Sequence, residues 1–217
     1  MKDFDLLIFD CDGVLVDSEV LSCQCLVDVL GRYGVTVGLD EAFDRFLGRS
    51  SSAVEEYYLA TTGSPLARQF GSELQAHLAS SFRTSLQLIP HVRSVLDSIN
   101  RPYCLASSSD GDRLRMTLSI AELEPYFGDR IYYAAMVARS KPAPDLFLFA
   151  AAEMGARTAQ TLVIEDSVNG VLAGKAAGMT VWGFVGGSHY SGRDGRRLLA
   201  DAGADRVFGS MADFMPA

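Results

Sequence analysis

The chain has 217 residues, 48% of them hydrophobic and 21% charged, with a formal charge of −8 at pH 7. That length suits one domain carrying an insertion, or two small domains. The acidic balance, with only three lysines (Lys2, Lys141, Lys175), argues against nucleic acid as a partner and requires any anionic substrate to be held by a metal ion, backbone N–H groups or singly placed cations. Cys11, Cys23, Cys25 and Cys104 form no C-x-x-C pair, which predicts free thiols in a reducing compartment. No apolar run approaches the ~18 residues of a membrane span, and the stretch before Asp10 is too short for a secretion signal. A cytoplasmic monomer acting on a small molecule, with no membrane contact, is the expectation.

In chain order, Leu6-Leu7-Ile8-Phe9 reads as a buried strand ending at Asp10. From about Glu19 to about Leu86 the pattern is helical almost throughout, too long for a single crossover between strands. An inserted helical domain over residues 18–88 explains it, with the core formed by 1–17 and 89–217 and the return marked by Leu88-Ile89-Pro90. A helix over Val92 to Ile99 precedes a second strand, Tyr103-Cys104-Leu105-Ala106, which ends at Ser107. Helices over Leu114 to Ile120 and Pro144 to Met154 lead to a third strand, Leu162-Val163-Ile164, which ends at Glu165-Asp166. A helix over Val168 to Ala177 follows, and the glycine-rich stretch from Gly186 to Gly192 reads as a flexible connection. Continuous apolar strands alternating with helices predict an α/β fold built on a doubly wound parallel sheet covered on both faces. In such a sheet the residues just beyond the carboxyl ends of the strands converge on one site.

Those residues carry the chemistry. Asp10-Cys11-Asp12-Gly13 could be an ordinary turn, its aspartates bonding to nearby backbone and its glycine supplying positive φ. The second acidic pair, Glu165-Asp166, changes the balance. Four carboxylates at one end of a sheet repel one another and take up protons unless a cation compensates. Mg²⁺ fits that requirement, since it binds through few carboxylates plus water and substrate phosphate. Lys141, in Ser140-Lys141-Pro142-Ala143-Pro144-Asp145, is either a solvated loop residue or a charge positioned by two prolines. Pro144 and Asp145 suit the start of a helix. Ser107-Ser108-Ser109 is either a polar turn or, at a strand end leading into a helix, a phosphate cradle.

Taken in order, DCDGVLVDS from Asp10, ASSS from Ala106, SKPAPD from Ser140 and VIEDSVNG from Val163 resemble the four dispersed motifs of the haloacid dehalogenase superfamily, specifically its phosphatases with a helical cap inserted after the first motif. The resemblance covers essentially the whole chain and implies a Rossmann-like core with an α-helical cap. It implies an aspartyl-phosphate mechanism in which Asp10 is the nucleophile and Asp12 protonates the leaving alcohol and then activates water. Mg²⁺ would be held by Asp10, the backbone carbonyl of Asp12 and Asp166, with Glu165 a direct ligand or a supporting residue. Ser107 and the backbone N–H groups around Asp12 and Ser108 would bind phosphate, and Lys141 would neutralise the phosphoryl oxygens and Asp10. Asp17 and Ser18 fall at the family's flap and hinge positions.

Within the superfamily, Asp12 argues against a dehalogenase, which needs no proton donor to an alcohol. The lack of any lysine between Lys2 and Lys141 argues against a phosphonoacetaldehyde hydrolase. The β-phosphoglucomutases are similar around ASSS and SKPAPD but carry a cap histidine where this chain has Ser22, so a sugar-phosphate mutase is the second reading. The first is a phosphatase of the branch acting on 6-phosphogluconate and related sugar phosphates. Arg49, in FLGRS, matches the substrate-specificity loop and could clamp a remote anionic group, or be a solvated helix-start residue. His91 stands where the family often has glycine and reads as a hinge or surface residue. Cys11 reads as a small buried filler. Gly170 to Ala176 looks like a P-loop one residue short and is expected to be helix. A non-catalytic binding or regulatory protein on the same fold is the alternative from another class.

Overall fold

A computed structural model describes residues 4–47 and 51–214 of the chain. The chain divides into two compact units, Met1–Asp17 with Gln87–Ala217, and Ser18–Leu86. In the second unit, helices α1 (Glu19–Arg32), α2 (Leu39–Phe46), α3 (Ser51–Thr62) and α4 (Phe70–Ser85) enclose their own apolar core. Leu26, Val29, Leu30, Val35, Phe46 and Phe70 are among the residues buried there. Each such side chain, fully removed from water, contributes about 1.5–3 kcal/mol.

The first unit is a six-stranded parallel sheet. Its strands are β1 (Leu6–Phe9), β2 (Tyr103–Ser107), β3 (Ile131–Tyr133), β4 (Thr161–Glu165), β5 (Thr180–Phe184) and β6 (Arg206–Phe208). The lateral order is β3-β2-β1-β4-β5-β6, the arrangement of doubly wound α/β folds, with the order reversing at β1. Helices α5 (Val92–Ser98), α6 (Gly111–Ile120), α7 (Glu124–Phe127), α8 (Asp145–Glu153), α9 (Val168–Ala176) and α10 (Gly195–Asp201) complete the unit. All four residues of β1 are buried, as are all five of β4, because both faces of the central strands are covered. The register sets Phe9 beside Leu105 on one side and Ile164 on the other, so Asp10, Ser107 and Glu165 leave the sheet along the same edge.

The strands β3, β5 and β6 were not marked by the sequence. Two of them have only three residues, and β5 interrupts its apolar pattern with Gly183. Leu88, whose sequence position falls within the expected insertion, forms an antiparallel bridge with Val16 in the first unit. The Asp17 N–H donates to the Gln87 carbonyl at 2.9 Å. His91 is exposed and has φ 70°, the left-handed conformation in which glycine is the least strained residue. Among the described residues no helix is long and apolar enough to cross a membrane.

Candidate active site

The site is built at the carboxyl ends of β1, β2 and β4. Asp10 follows β1 directly, and its N–H donates to the Ile164 carbonyl of the neighbouring strand at 3.0 Å. Beyond it the chain turns sharply: the N–H groups of Leu15 and Val16 both donate to the Cys11 carbonyl, and that of Gly13 donates to Val16. Gly13 has φ +75°, and a Cβ there would lie 1.8 Å from Asp166 Oδ2. The glycine of the first motif therefore admits the carboxylate of the fourth. Cys11 is fully buried beside this turn, and burial pushes its thiol well above the ordinary range, which leaves it an inert filler.

Lys141 is buried, not a solvated loop residue. Its Nζ donates to Asp10 Oδ1 at 2.6 Å, to Glu165 Oε1 at 2.6 Å and to the Ala106 carbonyl at 2.9 Å, and it lies over the Phe147 ring at 4.7 Å. Burial opposes the ammonium charge, but the Asp10 and Glu165 carboxylates outweigh it and hold Lys141 above its usual range. The other Glu165 oxygen, Oε2, accepts from the Ser167 N–H at 3.0 Å and the Ser167 hydroxyl at 2.9 Å. Ser167 also caps α9, accepting from the Gly170 N–H. Both Glu165 oxygens are thus engaged by protein donors, a disposition that suits the supporting role among the two the sequence left open.

Gly170 explains how Glu165 fits. A Cβ at that position would meet the Glu165 carboxyl at 1.8 Å. Gly170→Ala is expected to displace Glu165, loosen Lys141, and cost about 1–3 kcal/mol of stability through overpacking. Thermal unfolding together with turnover checks this; an unchanged melting temperature contradicts it. The segment Gly170 to Ala176, which looks like a P-loop one residue short, lies wholly within this same helix, α9, as expected.

Burial pushes the Asp10 carboxyl well above the ordinary carboxylate range, Lys141 pulls it back, and Glu165 and Asp166 add to the rise. Asp166 is raised in the same way, first by burial and then by Glu165 and Asp12. The formal balance is unequal. Asp10, Asp12, Glu165 and Asp166 bring four negative charges against the fixed cations Lys141 and Arg113, whose Nη2 lies 3.3 Å from Asp12 Oδ1. A divalent cation matches the difference. Among the described residues no three acidic, histidine or cysteine side chains form a ready metal cage.

Ser107 is buried, and its Oγ accepts from the Ser109 N–H at 3.1 Å, while Ser108 is exposed. Arg49 lies outside the described residues. Asp145 begins α8 as expected, with Arg139 donating to its carboxylate at 2.8 Å and 3.1 Å.

Arg113, His189 and Tyr190 were not marked as site residues by the sequence, and Ser109, read there as part of a polar turn or a phosphate cradle, makes a different contact. Ser109 Oγ donates to Asp12 Oδ2 at 2.8 Å, opposite the Arg113 contact. Between Gly186 and Gly192, where a flexible connection was expected, a 3₁₀ turn forms over Ser188–Tyr190. Its buried His189 places Nε2 3.2 Å from Asp166 Oδ2, and the Tyr190 hydroxyl donates to the Asp166 carbonyl. Asp17 Oδ1 fixes the start of that turn, accepting from the Ser188 N–H at 3.0 Å and hydroxyl at 2.9 Å. Glycines signal conformational freedom in a sequence, but here the surrounding polar groups remove it.

The sequence profile of the haloacid dehalogenase-like hydrolases matches residues 7–184. The 6-phosphogluconate phosphatase of Escherichia coli (strain K12) is 29% identical over 190 residues, covering 87% of this chain and 86% of its own length. A conserved haloacid dehalogenase-like protein from Agrobacterium tumefaciens has a crystal structure similar to this one at a TM-score of 0.83, with 36% identity over 97% of this chain and 96% of that one. A hydrolase of the same family from Deinococcus radiodurans R1, solved with bound phosphate and sodium, gives a TM-score of 0.78 and 34% identity over 99% of this chain and 94% of that one.

Proposed function

Because the chain belongs to the haloacid dehalogenase-like hydrolase family, we propose that it is a Mg²⁺-dependent phosphatase of sugar or sugar-acid phosphates such as 6-phosphogluconate. The observation that carries this reading is the placement of Asp10 at the end of β1, held by the buried Lys141 with Asp12 and Asp166 close by. The similarity to a 6-phosphogluconate phosphatase and to a phosphate-bound hydrolase supports the substrate class.

In the first step an Asp10 carboxylate oxygen bonds to phosphorus, the bond from phosphorus to the ester oxygen breaks, and Asp12 gives its proton to the departing alcohol. In the second step a water oxygen bonds to phosphorus, a water proton passes to Asp12, and Asp10 leaves as carboxylate with release of inorganic phosphate. Splitting the hydrolysis in two is the benefit of a carboxylate nucleophile, and one carboxyl serves as acid and then base. Lys141 spreads positive charge over Asp10 and the phosphoryl oxygens, and Ser107 with neighbouring backbone N–H groups orients them. Asp10, Asp166 and the Asp12 carbonyl would hold Mg²⁺, which when bound offsets charge on the nucleophile and the phosphoryl group. Glu165 supports Lys141 from behind. The helical unit Ser18–Leu86 takes the part of the inserted cap that selects the leaving group.

Phosphate release across a panel of sugar and sugar-acid phosphates, with and without Mg²⁺, tests the reading, with β-glucose 1-phosphate conversion followed in parallel. Metal-dependent release with preference for a sugar-acid phosphate supports it. Isomerisation without release would make the chain a mutase, and absence of turnover throughout would favour a binding protein.

The raised carboxyls add a pH prediction. A group held above its ordinary pKa stabilises the fold below that ordinary value, and the contribution is lost as pH rises through the raised one. Mg²⁺ needs the deprotonated carboxylates. The metal-free protein is therefore expected to lose thermal stability as pH rises from the ordinary carboxylate value of 3.8 toward the raised range, while the stabilisation given by Mg²⁺ grows in the same direction. A Mg²⁺ effect independent of pH contradicts this.

A further inference from the structure

The carboxyl of Asp12 is held at both oxygens by one short segment. Ser109 Oγ donates to Oδ2 at 2.8 Å, and Arg113 Nη2 meets Oδ1 at 3.3 Å. Asp12 is buried and Arg113 is one-fifth exposed, so water screens the pair only weakly.

The donors are themselves fixed. Asp110 caps α6 by accepting from the N–H groups of Asp112 at 3.1 Å and Arg113 at 2.9 Å, which sets the backbone that carries the guanidinium. The Ser109 N–H is tied to Ser107 Oγ. Residues 107–113 thus join the phosphate-binding serine to the acid–base carboxyl through one run of backbone.

We propose that Arg113, acting with Ser109, is the positioning residue for Asp12 in the acid–base step. The inference rests on the reading of Asp12 as the acid for the leaving alcohol. A guanidinium only donates, so the oxygen facing Arg113 remains an acceptor. The oxygen beside the Ser109 hydroxyl, which can donate or accept, is the one able to carry the proton. The pair therefore selects the oxygen that exchanges a proton with the ester oxygen and then with water, and holds it in place through both steps.

The test is a leaving-group series. A phosphate ester with an acidic alcohol, p-nitrophenyl phosphate, departs with little need of a proton, whereas an alkyl phosphate, the sugar phosphate that the wild type hydrolyses, needs one. The ratio kcat/KM reports transfer to Asp10 in both. Arg113→Ala is expected to lose about 10–100-fold more kcat/KM on the alkyl ester than on p-nitrophenyl phosphate, with Arg113→Lys recovering part of the difference. Ser109→Ala, which removes the other contact and keeps the cap at Asp110, is expected to show a weaker bias in the same direction. Melting temperatures check that each variant folds.

Equal losses on both esters in Arg113→Lys and Ser109→Ala would overturn the inference and make the segment a phosphate-binding or structural element, as would no loss at all. Asp12→Asn on the same series separates the two levels. A uniform loss there would remove the acid role itself, whereas a graded loss with flat Arg113 and Ser109 variants would remove the positioning role alone.

Discussion

Asp10→Asn is expected to lower phosphate release by about 10³-fold or more while leaving the protein folded. The amide keeps the shape of the side chain and an oxygen that can accept from Lys141, but it offers phosphorus no carboxylate nucleophile. In the native site Asp10 sits 2.6 Å from the Lys141 ammonium, with Glu165 and Asp166 adding negative charge around it. Burial makes that carboxylate expensive, so removing its charge relieves the cluster. The metal-free variant is expected to melt at or above the wild-type temperature, the opposite direction from its activity. Such divergence is characteristic of a group kept for chemistry at the expense of stability. Undiminished hydrolysis would remove Asp10 as nucleophile, and a large drop in melting temperature would mean that its charge stabilises the cluster. Phosphate release and thermal unfolding measured on one preparation decide both.

Lys141→Met is expected to fail in both respects. It leaves the buried Asp10 and Glu165 carboxylates without their shared ammonium, and breaking a buried ion pair from one side costs about 3–5 kcal/mol. The thioether replaces the stem over Phe147 well enough to limit the packing loss. The sign of the pH dependence follows from the carboxyls. Lys141 is held above its usual range, so its contribution in the wild type is complete through neutral pH and is lost only in strong alkali. In the variant, Asp10, already held above the ordinary carboxylate range by burial, can escape the penalty by taking up a proton. The stability difference between wild type and variant should accordingly shrink as pH falls through the carboxylate range and widen toward neutrality. A difference that stays constant with pH would assign the loss to packing. Turnover is expected to fall by at least about 10²-fold, because charge at the phosphoryl oxygens is the main requirement of the transfer step.

Lys141 stands apart in the sequence itself. It is the sole lysine between Lys2 and Lys175, and prolines at 142 and 144 follow it closely. What the sequence left open was whether the side chain is solvated. Its partners Asp10 and Glu165 are 131 and 24 residues away, and whether they meet depends on β1 and β4 pairing in the register that sets Phe9 beside Ile164.

By itself, the sequence determined the α/β class, the central strands, the acidic and serine residues that end them and the proline-flanked Lys141, because continuous apolar runs, helical periodicity and spaced motifs are local properties. Only the tertiary structure decided how those residues share one another's charge. It gave both Glu165 oxygens to Lys141 and Ser167, brought Arg113 and Ser109 to Asp12 across separations of 101 and 97 residues, and turned a glycine-rich stretch into a buried brace on Asp166. These outcomes depend on strand register, on the space left where Gly13 and Gly170 lack a Cβ, and on side-chain directions at the first turns of helices. None of these is encoded in the neighbours of a single residue.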